Sequence, residues 1–142
     1  MFVKYTAKKK LTIMIPTIKP TNSSVGEFIG YLFYMRTQTH IYHLQTKSYA
    51  QHKALNDFYD AIIGLADGLA ETYQGKYGII RKYSTYPIQE DDKALSKMED
   101  CLKYVNEYRF KAFKKEDTNL QNDIDSIVSL IESTIYKLKF LN

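Results

Sequence analysis

Apolar side chains recur at helical spacing along four stretches of this chain. Val25, Phe28, Ile29, Leu32 and Phe33 form the first stripe, which continues past Arg36 to His40, His43 and Leu44. Asn22, Ser23 and Ser24 precede it, and Glu27 three positions after Ser24 completes a capping box. A helix is therefore predicted from near Val25 to Thr46 or Lys47. Ser48 with Gln51 forms a second capping box that opens a helix over 49–74. Leu55, Tyr59, Ile62, Ile63, Ala66, Leu69, Ala70 and Tyr73 lie on its apolar side, and Gly75 supplies the stop. Gly64 and Gly68, four apart in this helix, each cost up to about 1 kcal/mol relative to Ala, which predicts close approach of another backbone.

Residues 76–89 hold Gly78 and Pro87 and keep no period, so they read as a connection. A helix of about 25 residues spans roughly 38 Å, and a connection of about 14 residues reaches roughly 46 Å. The link is thus long enough to travel the length of a bundle and set the third helix parallel to the second. That third helix is predicted over 91–113, favoured at its start by Glu90, Asp91 and Asp92, with Leu95, Met98, Leu102, Val105 and Ala112 as its stripe. The fourth opens at Asp117 or Thr118 and carries Leu120, Ile124, Ile127, Val128, Ile131, Ile135 and Leu138. Four long helices with one long crossover predict an all-α, ferritin-like four-helix bundle over 23–142. Residues 1–22 precede it as a basic arm with Pro16 and Pro20, inside which residues 11–15 read as a short extended piece.

Length and composition narrow the function classes. A chain of 142 residues is about one domain. The single cysteine, Cys101, excludes an intrachain disulfide and a Cys-rich zinc module and fits a reducing compartment. No apolar run is long enough to span a bilayer, and no leader pattern opens the chain, so a cytoplasmic protein without membrane contact is expected. The net charge of +4 is small, yet Lys4, Lys8, Lys9, Lys10 and Lys19 stand in the arm without an acidic residue. Lys8, Lys9 and Lys10 are the candidate contacts to DNA phosphates. No Walker loop, dinucleotide fingerprint, paired-Cys motif, His-Glu metalloprotease motif or Glu-x-x-His di-iron motif is present.

The histidines carry the remaining chemistry. His40 and His52 lie symmetrically about Thr46, so an antiparallel hairpin closing there is expected to bring the two imidazoles face to face. Asp67 and Glu71 sit one turn apart on the second helix, where paired carboxylates can share a metal. Fifteen residues, roughly 22 Å, separate His52 from Asp67, so one subunit cannot close a site from all four. A two-fold dimer with these helices antiparallel can, holding two sites that each join imidazoles from one chain to carboxylates from the other. Such nitrogen and oxygen ligands suit Fe(II), and less distinctively Mn(II) or Zn(II). His43 is a candidate neighbour or alternative ligand, with Asn56 and Asp60 as secondary positions.

The segment from Thr39 to Glu71, with His40, His52, Asp67 and Glu71, resembles the ferroxidase region of the Dps-type miniferritins. The resemblance implies two histidines and a distal aspartate and glutamate as iron ligands across a dimer interface. It further implies oxidation of Fe(II) by peroxide or oxygen, iron storage in a hollow dodecamer, and protection of DNA. Where that family usually has a further aspartate, four residues after the second histidine, this chain has Asn56; Ile41 replaces the usual Trp, and Gln45 the turn glycine. The alternative reading is a non-enzymatic bundle of the same fold that binds DNA or another protein, motivated by Asn56 in the place of an acid.

Overall fold

The computed structural model describes residues 22–141; the basic arm, with Lys8, Lys9, Lys10 and the extended piece at 11–15, lies outside the described residues. Four helices follow in order: α1 (Asn22–Gln45), α2 (Tyr49–Tyr77), α3 (Ala94–Ala112) and α4 (Thr118–Phe140). The described residues therefore form an all-α four-helix bundle.

Helix ends follow local chemistry, with shifts from the sequence reading that have identifiable causes. α1 starts at Asn22, so Ser24 lies inside the helix. Ser48 caps α2 as predicted, its Oγ accepting from the Gln51 N–H at 3.2 Å. The reciprocal half of that box is diverted: the Gln51 side chain accepts from the Thr46 hydroxyl at 2.9 Å, and the Ser48 N–H donates to Thr46 Oγ1 at 3.1 Å. Gly75 does not stop α2; the helix continues to Tyr77 and ends at Gly78, whose φ of 93° is a conformation that favours glycine. α3 begins three residues later than expected because Asp91 is engaged ahead of the helix, accepting from the Tyr42 hydroxyl at 2.6 Å and the Lys93 N–H at 2.9 Å.

The crossover from Gly78 to Lys93 is held along α1 by polar side chains at both ends. The Asn22 amide donates to the Ile79 carbonyl and accepts from the Arg81 N–H, both at 3.1 Å. Sixteen residues on, the buried Gln38 amide donates to the Gln89 carbonyl at 3.2 Å and accepts from the Gln89 N–H at 2.7 Å. Between these clamps, Gly26 and Gly30 let the crossover backbone lie against the helix. A Cβ at Gly26 would stand 1.7 Å from the Lys82 carbonyl oxygen, and one at Gly30 2.2 Å from that of Ser84. The close backbone approach expected at Gly64 and Gly68 occurs instead at these two glycines, while Gly64 and Gly68 face open space within the chain.

Because the crossover starts beside Asn22 and finishes beside Gln38, it delivers α3 next to the C-terminal half of α1. At the other end, Lys76 and Tyr77 of α2 both bond Asp117 in the α3–α4 turn. α3 thus runs parallel to α2. Around the bundle the neighbours are α1 with α2, α2 with α4, α4 with α3 and α3 with α1, each pair antiparallel. Their shared core holds Phe28, Leu32, Met35, Leu55, Phe58, Ile62, Leu69, Met98, Leu120 and Ile124, all fully buried, each stabilising by roughly 1.5–3 kcal/mol. Phe28 meets Phe113 edge to face at 5.2 Å, and Tyr31 stacks on Tyr104 at 3.8 Å over buried Cys101.

Candidate metal centre

The turn at 46–48 fixes which residues face each other across the α1–α2 hairpin. Its centre lies beyond Thr46, so the cross-helix partner moves one helical turn along α1. The ring that stacks on His52 is His43, with centroids 3.7 Å apart and planes 23° from parallel. His40 stacks instead on Tyr59, at 4.1 Å and 11°, and meets His43 at 5.8 Å. The symmetry argument for His40 and His52 placed the hairpin centre too early, and it is His43 that stands opposite His52.

The two stacked imidazoles are tied reciprocally to backbone. His43 Nδ1 lies 2.9 Å from the His52 carbonyl oxygen, and His52 Nδ1 lies 3.0 Å from that of His43. A carbonyl only accepts, so in both rings Nδ1 carries the proton and donates. In the neutral rings Nε2 therefore keeps the lone pair, the arrangement by which an imidazole bonded to a backbone carbonyl is pre-set for a metal. A metal lies in the plane of the imidazole that binds it, at about 2.1 Å. Two nearly parallel planes separated by a stacking distance share no such point, so His43 and His52 cannot hold one ion between them as placed. His43 positions His52 through its carbonyl, and His52 offers the nitrogen.

Asn56 takes no charge to the site and is already committed. Its Oδ1 accepts from the Tyr59 hydroxyl at 2.8 Å, and its Nδ2 donates to Asp60 Oδ2 at 3.1 Å. This ladder along α2 places an acid, Asp60, one turn beyond Asn56 on the same exposed strip. Asp67 and Glu71 lie further along that helix, both exposed, beside Gly64 and Gly68 and the 42% exposed Ile63. Relative to His52, Asp67 is displaced about 22 Å along the axis and about 60° around it. One chain consequently does not bring His52 together with Asp67 and Glu71. Among the described residues no three His, Cys, Asp or Glu side chains converge on a metal-sized site.

Sequence reading missed one feature here: His43 as the partner of His52 is legible only once the turn is known to occupy 46–48. Tyr59, seven residues after His52 and so on its side of α2, is half-buried and packs over His40 while its hydroxyl engages Asn56. No described helix is long and apolar enough to cross a membrane.

Comparison with known proteins places this hairpin in a wider set. A relative from Enterobacteria phage T4, named as an uncharacterized 14.6 kDa protein in the mobD-ri intergenic region, is 28% identical over 116 residues, covering 82% of this chain and 88% of its own length. No solved structure matches the chain. A family model described as Family of unknown function (DUF5856) matches residues 43–138, a span that takes in His43, His52, Asp67 and Glu71 and begins after His40. The chain belongs to this DUF5856 family.

Proposed function

We propose that the protein is a ferritin-like bundle of the Dps type that binds Fe(II) at sites shared between two copies and oxidises it with peroxide or oxygen. The observation that carries this reading is the reciprocal tie between His43 and His52, which leaves His52 Nε2 as a lone pair on the helix that also exposes Asp67 and Glu71 one turn apart. With α2 of a second copy laid antiparallel, His52 meets the opposite carboxylates when the two-fold axis passes near residues 60–61. The exposed Asp60 and Ile63 lie around α2 between His52 and the carboxylates, so this strip is open to a second helix. Imidazole nitrogen with two carboxylates is a donor set suited to Fe(II).

In this reading His52 and the carboxylates of the second copy hold Fe(II), His40 flanks the site, and His43 orients His52. Two Fe(II) ions, each giving one electron, together with two protons from solvent would convert one peroxide to two waters, and the carboxylates of Asp67 and Glu71 would offset the growing positive charge on the iron. Storage of the ferric product requires a closed shell, for which the expected native mass is about 200 kDa, against about 33 kDa for a dimer. The second reading, a non-enzymatic bundle, rests on Asn56 being occupied by Tyr59 and Asp60 where an acid ligand would add affinity.

Anaerobic Fe(II) titration of the metal-free protein separates them. The expected result is saturable binding of about two irons per dimer, lost in both His52→Ala and Glu71→Ala. Binding that is absent in the parent protein, or that survives both substitutions, favours the non-enzymatic bundle.

A further inference from the structure

α1 and α3 pack side by side, yet the surface between them is not closed where the start of one meets the end of the other. Phe28 of α1 and Tyr104, Tyr108 and Ala112 of α3 line a cleft of about 210 Å³ there, with Glu27 and Lys111 as its charged walls. Its apolar side is fixed from behind before any ligand arrives. Tyr104 stacks on Tyr31 at 3.8 Å and on Tyr108 at 4.6 Å, and Phe28 meets Phe113 edge to face at 5.2 Å. A mostly apolar recess with a few polar groups, formed in advance, is the usual shape of a small-molecule site.

The two charges of the cleft are not spent on each other. Among the described residues the ion pairs are Lys76 with Asp117, Arg109 with Asp125 and Lys137 with Asp57, so neither Glu27 nor Lys111 is in one. The Lys111 ammonium lies over the Tyr108 ring instead, 4.5 Å from its centroid. Glu27 is exposed at the rim, where a ligand can reach it, yet partial burial pushes its carboxyl above the ordinary 4.5. Its charge is felt by the phenols around it. Tyr86, Tyr104 and Tyr108 are all pushed above 10.0, by burial first, and the Glu27 charge contributes in each, joined at Tyr108 by Glu107. The recess is therefore negative beside its aromatic wall, even with Lys111 at its edge.

We infer that this cleft binds the ammonium end of a small aliphatic amine. This goes beyond the metal reading and does not depend on it. The Glu27 carboxylate takes the charge, phenolic oxygens beside it accept from the remaining N–H groups, and Phe28, Ala112 and the tyrosine rings cover the alkyl chain. At about 30 Å³ for each water-sized group, the recess holds roughly seven non-hydrogen atoms, enough for a five-carbon chain and its nitrogen. A metal ion is a poorer occupant, because among the described residues no three His, Cys, Asp or Glu side chains converge on one point. A carboxylic acid is poorer too, since it sets its charge against Glu27 where water is partly excluded. Lys111 repels an amine in the same way, and so weakens the site it lines.

Two-dimensional NMR titration of the isotope-labelled full-length protein with n-pentylammonium chloride at neutral pH tests this, with folding of each variant checked by circular dichroism. Saturable shifts are expected near the start of α1 and the end of α3. Glu27→Gln is expected to weaken binding by about tenfold or more, whereas Lys111→Met, which removes the like charge and keeps the stem, is expected to tighten it about threefold. Asp92→Asn, which removes an exposed carboxylate from the other end of the bundle, is expected to change affinity by less than about twofold. n-Pentanol and pentanoate, of the same length, are expected to bind at least about tenfold more weakly than the amine. Alcohol or acid binding as tight as the amine, equal losses in Glu27→Gln and Asp92→Asn, weaker binding in Lys111→Met, or no saturable shift in the parent protein would each overturn the assignment.

Discussion

Asp117 stands at the N-cap of α4 but makes no side-chain bond to its own helix. Its carboxylate is spent on the end of α2, accepting from Lys76 and from the Tyr77 hydroxyl, and so joins α2 to the α3–α4 turn. Those two donors hold the carboxyl below its ordinary value of 3.8, and the same bond raises Lys76 above 10.5. For the lowered acid, the contribution to stability is present above the unfolded value and fades as pH falls from about 3.8 through the folded value. For the raised lysine it is present below 10.5 and fades as pH rises through the folded value. Urea unfolding of the parent chain and Asp117→Asn should therefore show a stability gap that is constant between pH 5 and 8 and narrows below about 3.8. A gap unchanged down to pH 2.5 would mean that the carboxylate charge is not what joins the two elements.

The two long helices of the first hairpin use glycine in opposite ways. In α1, Gly26 and Gly30 lie under the crossover backbone, where an added Cβ has no space. In α2, Gly64 and Gly68 meet nothing within 4 Å. Gly26→Ala and Gly30→Ala should each destabilise the fold by more than about 2 kcal/mol, as overpacking against backbone does. Gly64→Ala or Gly68→Ala in an isolated chain should stabilise by up to about 1 kcal/mol, through helix propensity alone. Thermal melts at low protein concentration measure both signs, and a loss of stability on Gly64→Ala at high concentration alone would locate a second backbone on α2. Helix existence and most of each core stripe were legible in the sequence because burial follows the 3.6-residue period, but Phe33, Leu44 and Ile63, which fall at the edges of that spacing, are exposed. The roles of the glycines were not legible, because a helical pattern records a cost at each glycine without recording which backbone, if any, lies over it. Likewise the Ser48 cap was readable from local spacing, whereas the His43–His52 pairing depends on the exact length of the turn, to which a shift of one helical turn in register is invisible. The α3 start was displaced for a similar reason: Asp91 was read as a first-turn acid, but a tyrosine 49 residues away claims it.

At the scale of the assembly, the ligand geometry makes a claim that single variants cannot test. If His52 of one copy and Glu71 of another complete each site, a chain lacking His52 and a chain lacking Glu71 are both inactive alone, yet a dimer containing one of each retains one intact site of its two. The reason is the symmetry: one site collects both substitutions, and the other collects neither. Mixing equal amounts of His52→Ala and Glu71→Ala under conditions that exchange subunits gives half mixed dimers, and so about a quarter of the parent iron capacity. Anaerobic Fe(II) titration of the mixture, before and after subunit exchange, measures that fraction. A site built within a single chain predicts no recovery at any mixing ratio, because every chain in the mixture then carries a broken site. Recovery near a quarter would also orient the α2 helices, since only an antiparallel pair returns His52 of each copy to the carboxylates of the other.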